Sequence, residues 1–139
     1  MRYRSGLEKK FAKWLKSSRI PFEYETLHLN YQKMVHMGKC LACGGSAVAV
    51  NKIYTPDFIL RNGIIIELKG KFTSQMRTKM LSVVRYNPDK DIRMVFSKDN
   101  WLTKNHNERY SDWCKRNNIK YHVMKDHRKP SIPIKWTRS

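Results

Sequence analysis

Two apolar, β-branched runs in Tyr54–Gly70 flank Arg61-Asn62-Gly63, and this stretch constrains the chain more than any other. The pattern reads as a β-hairpin. With a two-residue Asn62-Gly63 turn, Arg61 pairs with Ile64, Asp57 lies opposite Leu68, and both faces mix apolar and charged side chains. With a three-residue loop and Gly63 in the left-handed region, Leu60 pairs with Ile64 and Asp57 with Glu67. Side chains alternate along a strand, so this second register puts Phe58, Leu60, Ile64, Ile66 and Leu68 on one apolar face. The other face carries Thr55, Asp57, Ile59, Ile65, Glu67 and Lys69. The second register is expected, because it yields one consistent core face.

It also sets two carboxylates side by side, with a lysine two residues along. Like charges opposite each other destabilise a strand pair. A divalent metal would relieve the repulsion, and carboxylate oxygens are ligands that Mg²⁺ accepts while keeping several waters. The alternative is a solvated outer face with an ordinary Glu67/Lys69 pair.

The chain has 139 residues, enough for one domain with a real core. It holds 29 Lys and Arg against 11 Asp and Glu, a formal net charge of +18. The basic residues are spread along the chain, which points to a polyanionic partner, nucleic acid first. A solubility or ribosomal-type structural role is the plainer alternative. No apolar run is long enough to span a bilayer, no N-terminal signal segment is recognisable, and no basic amphipathic helix suits a membrane surface. An intracellular location is expected, with no membrane partner. The odd cysteine count, three, argues against a disulfide framework.

Taken in order, Ser5 to Ser18 reads as a helix with Leu7, Phe11, Trp14 and Leu15 on one stripe. Ser5 and Glu8 fit a capping box, which by itself accounts for Glu8. Phe22 to Leu29 alternates as one strand, with Glu23 and Glu25 on a solvated face or paired with lysines. From Asn30 to Lys52 the pattern weakens. A helix follows at Ser74 to Asn87, with Met76, Met80, Leu81 and Val84 on one side. A strand is expected at Asp91 to Ser97, a short helix at Tyr110 to Asn117 and a strand at Ile119 to Val123. Residues 125–139 are basic and expected to be extended, with Ile132, Ile134 and Trp136 docking on the core. The order α-β-β-β-α-β-α-β predicts an α/β (α+β) fold, a mixed sheet flanked by helices.

Cys40-Leu41-Ala42-Cys43-Gly44-Gly45 is a C-x₂-C knuckle with the shape of half a structural zinc site. Completing it needs His36, the distant Cys114, or the same pair from a second chain. Two unremarkable thiols in a glycine-rich connection is the competing reading.

The element order and the spacing Pro56-Asp57…Glu67-Leu68-Lys69 resemble the PD-(D/E)xK nuclease superfamily and its restriction-endonuclease-like fold. More closely, Arg4-Ser5-Gly6-Leu7-Glu8, Phe22-Glu23-Tyr24-Glu25, Tyr54-Thr55-Pro56-Asp57-Phe58, Glu67-Leu68-Lys69-Gly70 and Asp91–Ser97 resemble the phage endonuclease I family of Holliday-junction resolvases. The resemblance spans roughly residues 4–124. It implies a single nuclease domain that cuts four-way junctions and other branched double-stranded DNA as a homodimer, in the host cytoplasm if the chain is phage-encoded. It implies the catalytic set Glu8, Asp57, Glu67 and Lys69. One or two Mg²⁺ or Mn²⁺ ions would be held by Asp57, Glu67, the Leu68 carbonyl and Glu8. It further implies a domain-swapped dimer in which residues 1–30 are exchanged and Glu8 is supplied in trans to the core of residues 53–124. Residues 31–52 depart from the family pattern: the bridge looks longer and carries the knuckle, and one hypothesis is a Cys₄ Zn²⁺ site shared by Cys40 and Cys43 of both chains. The basic residues nearest the motifs, Arg2, Arg4, Lys9, Lys71 and Arg77, are candidates for phosphate contacts. Three rivals remain: a nuclease of the same superfamily acting on another DNA substrate, a non-catalytic basic nucleic-acid-binding protein, and a zinc-based binding module.

Overall fold

The computed structural model describes residues 2–37 and 46–138. The Cys40/Cys43 knuckle, and with it the expected zinc site, lies outside the described residues. Cys114, an alternative zinc partner, is fully buried in the core.

Helix α1 (Gly6–Ser17) is capped by Ser5, whose Oγ accepts the Glu8 N–H at 3.2 Å. Strands β1 (Phe22–Tyr24), β4 (Phe58–Leu60), β5 (Ile65–Lys69), β6 (Ile92–Phe96) and β7 (Lys120–Val123) form a five-stranded sheet in the order β1-β4-β5-β6-β7. The β1-β4 and β4-β5 pairs are antiparallel and the β5-β6 and β6-β7 pairs parallel, so the sheet is mixed. Helix α2 (Ser74–Tyr86) connects β5 to β6 and helix α3 (Tyr110–Arg116) connects β6 to β7, the crossovers that parallel neighbours require. The α/β class and the mixed sheet are as the element order predicts.

The hairpin adopts the three-residue loop. Phe58 pairs with Ile66 and Ile59 with Ile65. Leu60 N–H donates to the Ile64 carbonyl at 2.8 Å, and Gly63 has φ +92°, a conformation glycine adopts without a Cβ clash.

Both faces of the hairpin are buried, in keeping with a mixed sheet flanked by helices and against a solvated outer face. Phe58, Leu60, Ile64, Ile66 and Leu68 pack with Phe11, Ala12 and Leu15 of α1. Ile65 packs on the opposite face with Met80 and Val83 of α2 and Trp113 of α3. On α2, Leu81 is exposed and Val83 takes the buried position expected of it.

Two further departures surround the hairpin. Phe22 to Leu29 is not one strand: Glu25 has φ +53°, ending the β1 segment, and Leu29 begins β2 (Leu29–Met37). Strand β2 pairs along its whole length with β3 (Ser46–Tyr54), a two-stranded ribbon within the region of weak pattern. The ribbon escaped sequence reading because Met34, Val48 and Ile53 are exposed, so its apolar residues do not line one buried face. It is fastened to α2, where Ser82 Oγ donates to the Gln32 carbonyl and Tyr86 Oη to Gln32 Oε1 at 2.9 Å.

Ile132 and Trp136 of the C-terminal segment dock as expected, both buried, but Ile134 is exposed and Ile134–Thr137 forms a 3₁₀ turn rather than extended chain. Asn62 of the hairpin loop donates to the Trp136 carbonyl at 2.8 Å, and the Arg93 guanidinium lies 4.8 Å from the Trp136 ring centre.

Candidate active site

Four acidic side chains converge where β4 enters the sheet and β5 leaves it. Asp57 precedes β4 by one residue and stands between two neighbours. On one side Glu25 N–H donates to its carbonyl at 3.1 Å, extending the β1-β4 register. On the other, its own N–H reaches Glu67 Oε2 at 3.3 Å instead of continuing the ladder. The Asp57 carboxylate turns to the backbone of β5, where Oδ2 accepts the Leu68 N–H at 2.9 Å.

Glu67 is 3% exposed, so the solvated-face alternative does not hold. Its Oε2 also accepts a hydrogen bond from Tyr54 Oη, and its Oε1 lies 3.2 Å from Lys69 Nζ. Glu8 projects from α1. Its N–H is held by Ser5, but its carboxylate does more than cap the helix: Oε2 accepts from Tyr24 Oη. Carboxylate oxygens of Glu8, Glu25 and Asp57 all lie within 4.8 Å of one another.

The electrostatics follow from burial. Asp57 is pushed up to about 8, first by desolvation and then by the neighbouring charges of Glu67 and Glu8, against the lowering effect of the Leu68 N–H. Glu67 is also raised by desolvation, opposed mainly by Lys69 and by the Tyr54 hydrogen bond. The phenols of Tyr24 and Tyr54 are raised by burial and by the carboxylates they face, which keeps them protonated as donors.

The donor set fits a hard divalent cation. Carboxylate oxygens are the ligands Mg²⁺ and Mn²⁺ prefer, and a dication would offset the repulsion that raises Asp57. Each of Glu8, Asp57 and Glu67 has one oxygen occupied by a neutral protein donor.

Of the residues singled out from sequence, Glu8, Asp57, Glu67 and Lys69 are brought together. Leu68 contributes its N–H to Asp57. The basic candidates divide: Arg2, Lys9 and Lys71 are exposed, whereas Arg4 pairs with Glu25 at 2.8 Å and Arg77 donates to the Phe72 carbonyl at 2.6 Å. Glu25 was expected on a solvated face. The left-handed turn at that residue brings it to the site instead, paired with an arginine rather than a lysine. Tyr24 and Tyr54 were not singled out. Their alternation marks them as inward-facing, but nothing local marks their partners. A groove between the ribbon and α2, lined by Lys33, Lys52 and Lys79 and by no acidic residue, was likewise not foreseen.

The family model of phage endonuclease I matches residues 1–139. The chain is 36% identical over 137 residues to Endonuclease I of Escherichia phage T7, covering 98% of this chain and 78% of that protein. It is 37% identical over 118 residues to Endodeoxyribonuclease 1 of Enterobacteria phage T3, covering 84% of this chain and 68% of that protein.

Proposed function

The chain belongs to the phage endonuclease I family, and from that premise we propose that it is a metal-dependent DNA endonuclease that resolves four-way junctions and other branched DNA. The observation that carries the reading is the buried acidic group around Asp57, with a lysine at its edge. A non-catalytic DNA-binding protein has no use for carboxylates placed at this cost in desolvation.

Glu8, Asp57, Glu67 and the Leu68 carbonyl would hold one or two Mg²⁺ or Mn²⁺ ions. A bound ion supplies Lewis-acid polarisation of the scissile phosphate and a water of lowered pKa. The chain's own residues do the rest. The Leu68 N–H, the phenols and the Asp57 N–H hold the three carboxylates in fixed orientations. Lys69, tethered at Glu67, presents a positive charge to the phosphate as negative charge develops on its oxygens. Arg2, Lys9 and Lys71 are exposed and available for phosphates, and Lys33 and Lys52 of the ribbon extend the basic surface. Contacts of this kind read backbone path and shape rather than base sequence, which suits a branched substrate. A homodimer would bring two such sites to one junction.

The test is cleavage of an immobile four-way junction, compared with a linear duplex of equal length in the same Mg²⁺ buffer. Paired incisions flanking the branch point are expected, with little cutting of the duplex. Asp57→Asn is expected to reduce cleavage to background while junction binding is kept or improved. A wild-type protein that cuts no DNA with either Mg²⁺ or Mn²⁺ would overturn the enzymatic reading.

A further inference from the structure

We propose that Tyr24 and Tyr54 are positioning residues of the cation site, each pinning one oxygen of a glutamate and so fixing the orientation of that carboxylate toward the metal. This rests on the reading of the acidic group as a metal site.

The argument begins with how the carboxylates are held. Tyr54, at the end of β3, is 2% exposed, and its hydroxyl donates to Glu67 Oε2. Tyr24, at the end of β1, is 8% exposed; its hydroxyl donates to Glu8 Oε2 and accepts the Arg4 N–H at 3.0 Å. The two tyrosines come from different strands and reach different acids, yet make the same contact. Asp57 is held in the same way by a backbone donor, the Leu68 N–H.

The chemistry of the donor matters. A phenol orients a carboxylate without cancelling its charge, so the attraction for a dication survives. Charge compensation comes from separate cations: the Arg4 guanidinium pairs with Glu25 Oε1, and Lys69 Nζ lies 3.2 Å from Glu67 Oε1. Rotation of a carboxylate about its terminal bond is broad and nearly two-fold. An unpinned glutamate would therefore lose orientation on desolvation, and the cation would have to restore it on binding. Partners that orient ligating groups in this way set metal affinity, and their loss costs about 10- to 100-fold.

The experiment measures Mn²⁺ binding to the metal-free 139-residue chain by calorimetry, without DNA, alongside the Mg²⁺ dependence of junction cleavage. Tyr54→Phe and Tyr24→Phe remove only the hydroxyls. Each is expected to raise the Mn²⁺ dissociation constant about 10-fold. Each should also move the Mg²⁺ concentration for half-maximal cleavage upward, with most of the rate recovered at saturating metal. Tyr110→Phe is the matched control. Its hydroxyl is buried and accepts the Phe72 N–H at 3.2 Å, so its loss is expected to cost stability without changing Mn²⁺ affinity. If Tyr54→Phe fails to fold, Tyr24→Phe decides the question. Wild-type Mn²⁺ binding that persists unchanged in the phenylalanine variants would overturn the positioning role alone. A wild-type chain that binds no Mn²⁺ would overturn the metal site itself.

Discussion

At Asp57, burial and the negative charges of Glu67 and Glu8 act in the same direction, and the Leu68 N–H and the Lys69 charge oppose them. The consequence for stability has a definite sign. The group's ordinary value is 3.8 and its folded value is about 8, so without metal the native state holds a proton that the unfolded chain releases. Its contribution is fully present below about pH 4 and is lost as pH rises to about 8. Metal-free protein is therefore expected to lose thermal stability between pH 5 and 8, and Asp57→Asn to flatten that slope; both are measurable by calorimetric melting. Mg²⁺ should restore stability most at the alkaline end, where a carboxylate is freed to bind it. An Asp57→Asn variant with the wild-type slope would show that another group carries the titration.

The hairpin is the element most legible in sequence. Its alternation of Phe58, Leu60, Ile64 and Ile66, together with a glycine at position 63, selects one register over the other. The structure adopts that register, with Gly63 at φ +92°. Gly63→Ala is expected to destabilise the protein by about 1–2 kcal/mol, since an L-residue is strained there. The open space around Gly63 means that no clash adds to this cost. Urea unfolding at fixed pH measures it, and an unchanged midpoint would mean that the loop relaxes. Other elements were less legible. Glu25 carries no local mark of a left-handed turn, being neither glycine nor asparagine, so β1 and the approach to β2 read as one strand. The β2-β3 ribbon was hidden because its exposed apolar residues break the usual pattern of one buried face.

Across the whole molecule, the acidic group draws on α1, the end of β1, the entrance to β4 and the end of β5. Whether each protomer of the proposed dimer carries a complete site of its own depends on whether α1 and β1 stay with their own core. Co-expression of Glu8→Gln and Asp57→Asn chains tests this. With each site built from a single chain, every site in the mixture keeps one defect and the junction stays uncut. If α1 and β1 are instead exchanged between protomers, as the family resemblance implies, a mixed dimer contains one intact site and nicks the junction. The outcome distinguishes the two arrangements without reference to oligomer size.

Sequence by itself determined the hairpin register, the adjacency of Asp57, Glu67 and Lys69, and a strongly basic chain suited to a polyanion. These are local or additive properties: period-two alternation, turn chemistry and summed charge need no knowledge of distant packing. That Glu8 belongs with them came from family resemblance, because a capping box explains the same residue. Only the tertiary structure decided that the hairpin is covered on both faces, that Glu25 turns into the site, and that Tyr24 and Tyr54 hold the two glutamates. Those contacts join residues 13 and 16 positions apart, one between a strand of the ribbon and the main sheet and one between α1 and β1. The desolvation that raises Asp57 depends on the same enclosure. The hairpin supplies the acids, and the enclosing structure sets their orientation and their charge.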